Sequence, residues 1–161
     1  MISMYSGIEN RLTKPFNPIL GETFEMMGDG WRYISEQVSH HPPISAAHAE
    51  SNTYIFRENT AMTQSFGGNK LTFVPTGCTT IRFKDTGDNF IVKRPTTYAR
   101  NILIGSMYID TAGEMTIENT RNGDRAVIEM KSSRGKGAHG VVGSVNKMHR
   151  VFGQYNKAIY Y

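Results

Sequence analysis

The chain has 161 residues, 39% of them hydrophobic and 20% charged, a balance that supports one folded domain and argues against both disorder and a two-domain enzyme. A single cysteine, Cys78, excludes an internal disulfide and any multi-cysteine zinc or iron–sulfur centre, which makes a reducing compartment such as the cytosol the simplest setting. The net charge of +4 is unevenly spread: four Lys/Arg stand against seven Asp/Glu over residues 1–60, six against five over 61–120, and eight against two over 121–161.

Sixteen Gly and six Pro scattered along the chain favour short elements joined by turns, so an all-β fold with minor α is expected. Residues 1–7 lack the apolar run of a secretory signal, and no stretch approaches the roughly 18–20 apolar residues of a membrane-spanning helix, so a soluble, unexported protein is expected. Over 14–21, Pro15 and Pro18 fix φ and bias Lys14 and Asn17 away from helix; the segment reads either as a rigid polar loop or as a packed crossing in which Phe16, Ile19 and Leu20 cover a core. Strands are expected over 31–38, 71–74, 80–83, 102–104, 107–109, 115–117 and 126–130, which are short, rich in β-branched and aromatic residues, and bounded by turn residues. Gly28-Asp29-Gly30, Gly67-Gly68-Asn69, Thr86-Gly87-Asp88 and Ala112-Gly113 are expected turns of an antiparallel meander of about ten short strands. Asn122-Gly123 predicts a hairpin with a two-residue turn, because both residues tolerate positive φ. Residues 135–140 are glycine-rich but lack the Gly-Lys-Ser/Thr ending of a phosphate loop. Cys78 is expected as a small buried hydrophobe.

Among chemistry-bearing residues, His40 and His41 are neighbours, with His48 seven positions on. From a regular strand they would point to opposite faces, and the spacing fits no zinc pattern, so no metal site is expected. Pro42-Pro43 cannot donate to a ladder, which places the two histidines at a strand end or bulge. There both rings could serve one anionic ligand, whose charge would favour their protonated form, or they could be ordinary polar residues of a surface turn. A histidine-dependent hydrolase lacks a defined nucleophile–base pair, so no catalytic residue is assigned. A nucleic-acid binder would use the basic C-terminal third with Phe152, Tyr155, Tyr160 and Tyr161 as stacking platforms, yet no nucleic-acid module motif is present.

Glu36-Gln37-Val38-Ser39-His40-His41-Pro42-Pro43 resembles, letter for letter, the signature of the oxysterol-binding-protein family, and Lys14-Pro15-Phe16-Asn17-Pro18-Ile19-Leu20-Gly21-Glu22 resembles its second hallmark. Weaker agreement continues through Asn101-Ile102-Leu103-Ile104-Gly105, Ile117-Glu118-Asn119 and Gly153-Gln154-Tyr155, where the family usually has Trp in place of Tyr155. The resemblance implies that residues 1–161 form one domain, part of a large incomplete antiparallel β-barrel enclosing an apolar lipid tunnel, without the family's preceding lid and following helical region. It implies a non-enzymatic lipid-transfer module that takes a sterol or phospholipid in the tunnel and the phosphatidylinositol 4-phosphate headgroup at its mouth, with Lys14, Asn17, His40 and His41 as headgroup residues. No cofactor or nucleic-acid partner is implied. The setting would be cytoplasmic and peripheral, with transient contact to anionic membranes, and a chain lacking lid and helices is expected to self-associate through exposed strand edges.

Overall fold

Every regular element among the described residues of this computed structural model, 2–7 and 16–161, is a strand, except for one 3₁₀ turn over Ile2–Tyr5. The chain runs through β1 (Thr23–Gly28), β2 (Trp31–Ser39), β3 (Ile44–Ser51), β4 (Tyr54–Asn59), β5 (Met62–Gly67), β6 (Lys70–Pro75) and β7 (Thr79–Phe83). It continues through β8 (Asn89–Lys93), β9 (Thr96–Arg100), β10 (Tyr108–Asn119), β11 (Arg125–Met130), β12 (Gly140–Val145), β13 (His149–Gln154) and β14 (Ile159–Tyr160). All pairings are antiparallel. The main path is β1-β2-β3-β4-β7-β8-β10-β11-β12-β13-β14, and β5-β6-β9 form a side ladder that rejoins it at β10. Among the described residues the path ends at β1 and β14, so the sheet they form is open.

β10 belongs to both ladders. Its first half pairs β9, from Tyr108↔Arg100 to Ala112↔Thr96, and its second half runs between β8 and β11. The change of partner falls at Gly113, whose φ of +109° is a conformation that side chains with a Cβ rarely adopt. The expected turn at Ala112-Gly113 is therefore a bend inside one twelve-residue strand, and the strands expected over 107–109 and 115–117 are its two halves.

Alternation sets the faces. Along β2, half-buried Trp31, Tyr33 and Ser35 alternate with exposed Arg32, Ile34 and Glu36. The buried core gathers Tyr5, Val92, Met115, Ile128, Met130, Val141 and Tyr155, with Ile2, Ile117 and Ile159 packed against it. Burial of Tyr155 removes it from the set of expected stacking platforms. β1 is exposed along its whole length, with Phe24, Met26 and Met27 uncovered.

Three further expectations are corrected. Residues 102–104 form a loop rather than a strand, because the Asn69 carboxamide takes the place of a ladder partner: Oδ1 accepts from the N–H of Leu103 (2.7 Å) and Ile104 (3.1 Å), and Nδ2 donates to the Ile104 carbonyl (2.7 Å). The β10–β11 hairpin forms, but its loop is longer than two residues. Glu118 pairs Arg125, Gly123 N–H donates to the Asn119 carbonyl (2.8 Å), and Gly123, but not Asn122, has positive φ. Cys78 is half-buried rather than enclosed, and lines a groove of about 460 Å³ with Ile34, Ala46, His48, Arg57 and Thr80. The expected turns at 28–30, 67–69 and 86–88 are present, as are the strands over 31–38, 71–74, 80–83 and 126–130.

Candidate ligand site

The β2–β3 pairing is regular from Trp31↔Ser51 to Gln37↔Ser45 and resumes at Ser39↔Ile44, which leaves Val38 as an extra residue on β2. Such a bulge breaks the two-residue alternation and bends the strand. His40, His41, Pro42 and Pro43 then form the turn into β3, and Pro42 and Pro43 have no N–H for which a ladder partner would be missed. Freed from strand geometry, the two exposed histidines lie side by side, ring centroids 4.4 Å apart and tilted by 52°. A strand would have separated them; the bulge and turn bring them together.

Gln37, one residue before the bulge, is buried and anchors this turn. Its Nε2 donates to the Ser39 carbonyl (2.9 Å), and its Oε1 accepts from the Ser45 hydroxyl. Its backbone reaches the other way: Gly21 N–H donates to the Gln37 carbonyl (2.8 Å), and Gln37 N–H donates to the Glu22 carbonyl (3.0 Å). The segment leading into β1 is thus tied to the strand that carries the histidine turn, and the two motifs 14–22 and 36–43 meet at one residue. Glu22 closes that segment locally, accepting the Ile19 N–H on Oε2 (2.9 Å). Asn17 lies exposed in it, and Phe16, Ile19 and Leu20 are 88%, 71% and 62% exposed. Those values overturn the packed-crossing alternative and leave the open polar loop. Lys14 lies outside the described residues.

Gln37→Leu is expected to remove both side-chain bonds and leave the Ser45 hydroxyl and Ser39 carbonyl without these partners, lowering stability by about 1–3 kcal/mol. A chemical-denaturation series checks it; an unchanged midpoint would show that Gln37 does not anchor the turn.

A half-buried ion pair is absent from any sequence motif. Glu58 on β4 and Arg94 after β8, each with a side chain 14% exposed, form an ion pair, and Arg94 Nη2 also donates to the Asn59 carbonyl (3.1 Å). Tyr5 stands beside them. Burial pushes its hydroxyl up to about 12, and the neighbouring Arg94 charge offsets only part of that rise. An apolar cavity of about 290 Å³ opens here, walled by Met4, Tyr5, Met62, Phe73, Pro75 and Pro95. Among the described residues, no group of three or more His, Cys, Asp or Glu is placed to hold a metal ion, and no helix is long and apolar enough to cross a membrane.

The family model of the oxysterol-binding proteins matches residues 1–161. The chain belongs to that family. It is 37% identical over 171 residues to oxysterol-binding protein-related protein 3 of Homo sapiens, covering 99% of this chain and 19% of that protein. It is also 37% identical over 170 residues to the related protein 7 of Homo sapiens, covering 99% and 20%. The chain therefore spans about a fifth of the length of these relatives. Among solved structures, the Osh1 ORD domain in complex with cholesterol superposes with a TM-score of 0.86 at 32% identity, over 98% of this chain and 40% of that one. The Osh3 ORD of Saccharomyces cerevisiae in complex with PI(4)P superposes with a TM-score of 0.84 at 30% identity, over 98% and 46%. The open antiparallel sheet thus matches somewhat less than half of each of these ORD chains.

Proposed function

We propose that this chain is a lipid-binding module that grips a phosphorylated inositol headgroup on the turn between β2 and β3 and shelters an apolar ligand, a sterol or phospholipid acyl chains, against the inner face of the sheet. In the cell it would serve non-vesicular transfer between cytosolic membrane faces. The observation that carries the reading is the pair of exposed imidazoles 4.4 Å apart on a turn that the β2 bulge and Gln37 hold in place. An anionic phosphate offers several strong acceptor oxygens, and two adjacent imidazole N–H donors match it with charge-assisted bonds while the lipid's tails stay dry. Support comes from the Osh3 ORD, which contains PI(4)P, and from the Osh1 ORD, which contains cholesterol. Asn17 joins the proposed headgroup set because the described segment 16–22 is bonded to β2 through Gly21 and Glu22 one residue from the bulge, and Lys14 joins it on the sequence motif alone. The exposed apolar side chains of β1 and the open sheet path support self-association as the way this chain covers its edge when no lipid does so.

The separating experiment titrates the chain with vesicles carrying phosphatidylinositol 4-phosphate and, in parallel, with a sterol. Lys14→Ala is expected to weaken phosphoinositide binding about tenfold or more and to spare sterol binding, because a sterol carries no charge for the ammonium to meet. Lys14→Arg should restore only part of the affinity, since a planar guanidinium does not occupy the site of a compact ammonium. Equal loss of both ligands in Lys14→Ala would assign that lysine to folding instead.

A further inference from the structure

At the other end of the strand order, Val142, Phe152 and Tyr160 stand in one row across β12, β13 and β14, paired as Val142↔Phe152 and Phe152↔Tyr160. They lie on the face opposite buried Val141 and Val151 and are 43%, 44% and 57% exposed. The Phe152 and Tyr160 rings stack 5.5 Å apart at 27°, and the Arg150 guanidinium sits 5.3 Å from the Phe152 centroid. This row floors a groove of about 440 Å³ whose charged lining residues are Lys131, Arg150 and Lys157. No carboxylate lines it among the described residues; the row continues away from the groove through two exposed acidic residues, Glu129, paired with Val142, and Glu114, paired with Glu129. Lys131 lays its stem along the glycine turn, where a Cβ added at Gly140 would meet its Cδ at 3.3 Å. At the tip of the β12–β13 turn, Met148 is 76% exposed beside Lys147.

We infer that this face of β12–β14 is a docking surface for an anionic lipid bilayer, with Phe152 and Tyr160 entering the interface and Lys131, Arg150 and Lys157 meeting lipid phosphates. The charge complementarity is specific to this region, because residues 121–161 hold eight Lys/Arg against two Asp/Glu. Aromatic rings with a polar rim and long cationic side chains are the residues that settle at the boundary of headgroups and acyl chains. Single-stranded nucleic acid is the competing partner for a basic aromatic groove, but base stacking needs open ring faces. Phe152 and Tyr160 already cover one face of each other and Arg150 lies over Phe152, which leaves stacking to the outer face of Tyr160 and to exposed Tyr161. Burial in a bilayer interface needs exposed ring area only, and these side chains supply it. The surface is separate from the histidine turn and does not depend on the headgroup assignment made there.

The test is co-sedimentation of the chain with phosphatidylcholine vesicles with and without phosphatidylserine, neither containing phosphoinositide. The chain is expected to bind the anionic vesicles, to lose binding as salt rises, and to fall roughly tenfold or more in partitioning in the triple variant Lys131→Glu, Arg150→Glu, Lys157→Glu. All three positions are on the groove rim, and unchanged circular dichroism of the variant establishes that the loss is not unfolding; Lys131→Gln, Arg150→Gln, Lys157→Gln provides a milder version with an intermediate loss. A control that reverses charge on other strands, Arg57→Glu with Arg82→Glu, both exposed on β4 and β7, should bind these vesicles as the unmodified chain does. A direct reading comes from Phe152→Trp in a Trp31→Phe background, whose single indole should shift its emission to the blue on adding anionic vesicles. Undiminished partitioning of the triple variant, equal loss in the Arg57→Glu, Arg82→Glu control, an indole that does not shift, or binding of a single-stranded oligonucleotide in place of vesicles would each overturn the inference.

Discussion

Replacing both His40 and His41 by alanine is expected to weaken binding of phosphatidylinositol 4-phosphate at least tenfold while leaving the fold intact. Each imidazole–phosphate hydrogen bond, being made to a charged group, contributes roughly 1.5–3 kcal/mol, and about 1.4 kcal/mol corresponds to a factor of ten in affinity. Both rings are exposed on a turn and contribute nothing to the buried core, so stability should change by less than about 0.5 kcal/mol. That combination distinguishes the histidines from Gln37, whose loss should act through stability. Vesicle titration beside a thermal melt reads both quantities, and an unaltered affinity in a folded double variant would remove the pair from the headgroup site.

The polar end of the domain was readable in the sequence because its determinants are local. Pro42 and Pro43 forbid a continuing ladder, so the histidines had to leave the strand, and β2 and the turn appear where the composition places them. What stayed hidden depends on partners far away along the chain. An apolar run over 102–104 has strand composition, but Asn69, more than thirty positions earlier, bonds its N–H groups and holds it as a loop. Ala112-Gly113 has turn composition, but β8, β9 and β11 all pair with the strand around it, so the glycine bends the strand instead of reversing it. The side ladder β5-β6-β9 and the Glu58–Arg94 pair are of the same kind, being set by which strands adjoin and not by any residue's own propensity. The acidic residues scattered through the sequence look alike until burial distinguishes them; Glu58 is 14% exposed in its side chain and Asp110 not at all.

Asp110 is where the second large effect is expected. It lies on β10, fully buried, and its carboxylate accepts from Arg100 Nε (2.8 Å), from the Ser132 hydroxyl (2.7 Å) and from the Ser133 N–H (2.8 Å). The first bond ties β10 to the end of β9, and the other two clamp the loop that follows β11 onto the same strand. Burial by itself pushes the Asp110 carboxyl up, but the Ser133, Ser132 and Arg100 donors together outweigh it and hold the group below its ordinary value. Asp110→Ala should therefore cost about 2–4 kcal/mol, because it strands a buried N–H and an arginine that is only partly exposed; the exposure of Arg100 keeps the figure below that of a wholly buried pair. The sign with pH follows from the lowered value. A carboxyl that ionises more readily in the folded chain stabilises it above the unfolded pKa of about 4, and that contribution is lost as pH falls through the folded value. Denaturation midpoints of the parent should thus fall on acidification below about pH 4 more steeply than those of Asp110→Asn, which cannot ionise and should already be destabilised at neutral pH. Parallel pH profiles for parent and Asp110→Asn would show that the carboxylate's charge is not what holds the β11–β12 loop to β10, and would leave only its shape as the cause of any loss in Asp110→Ala.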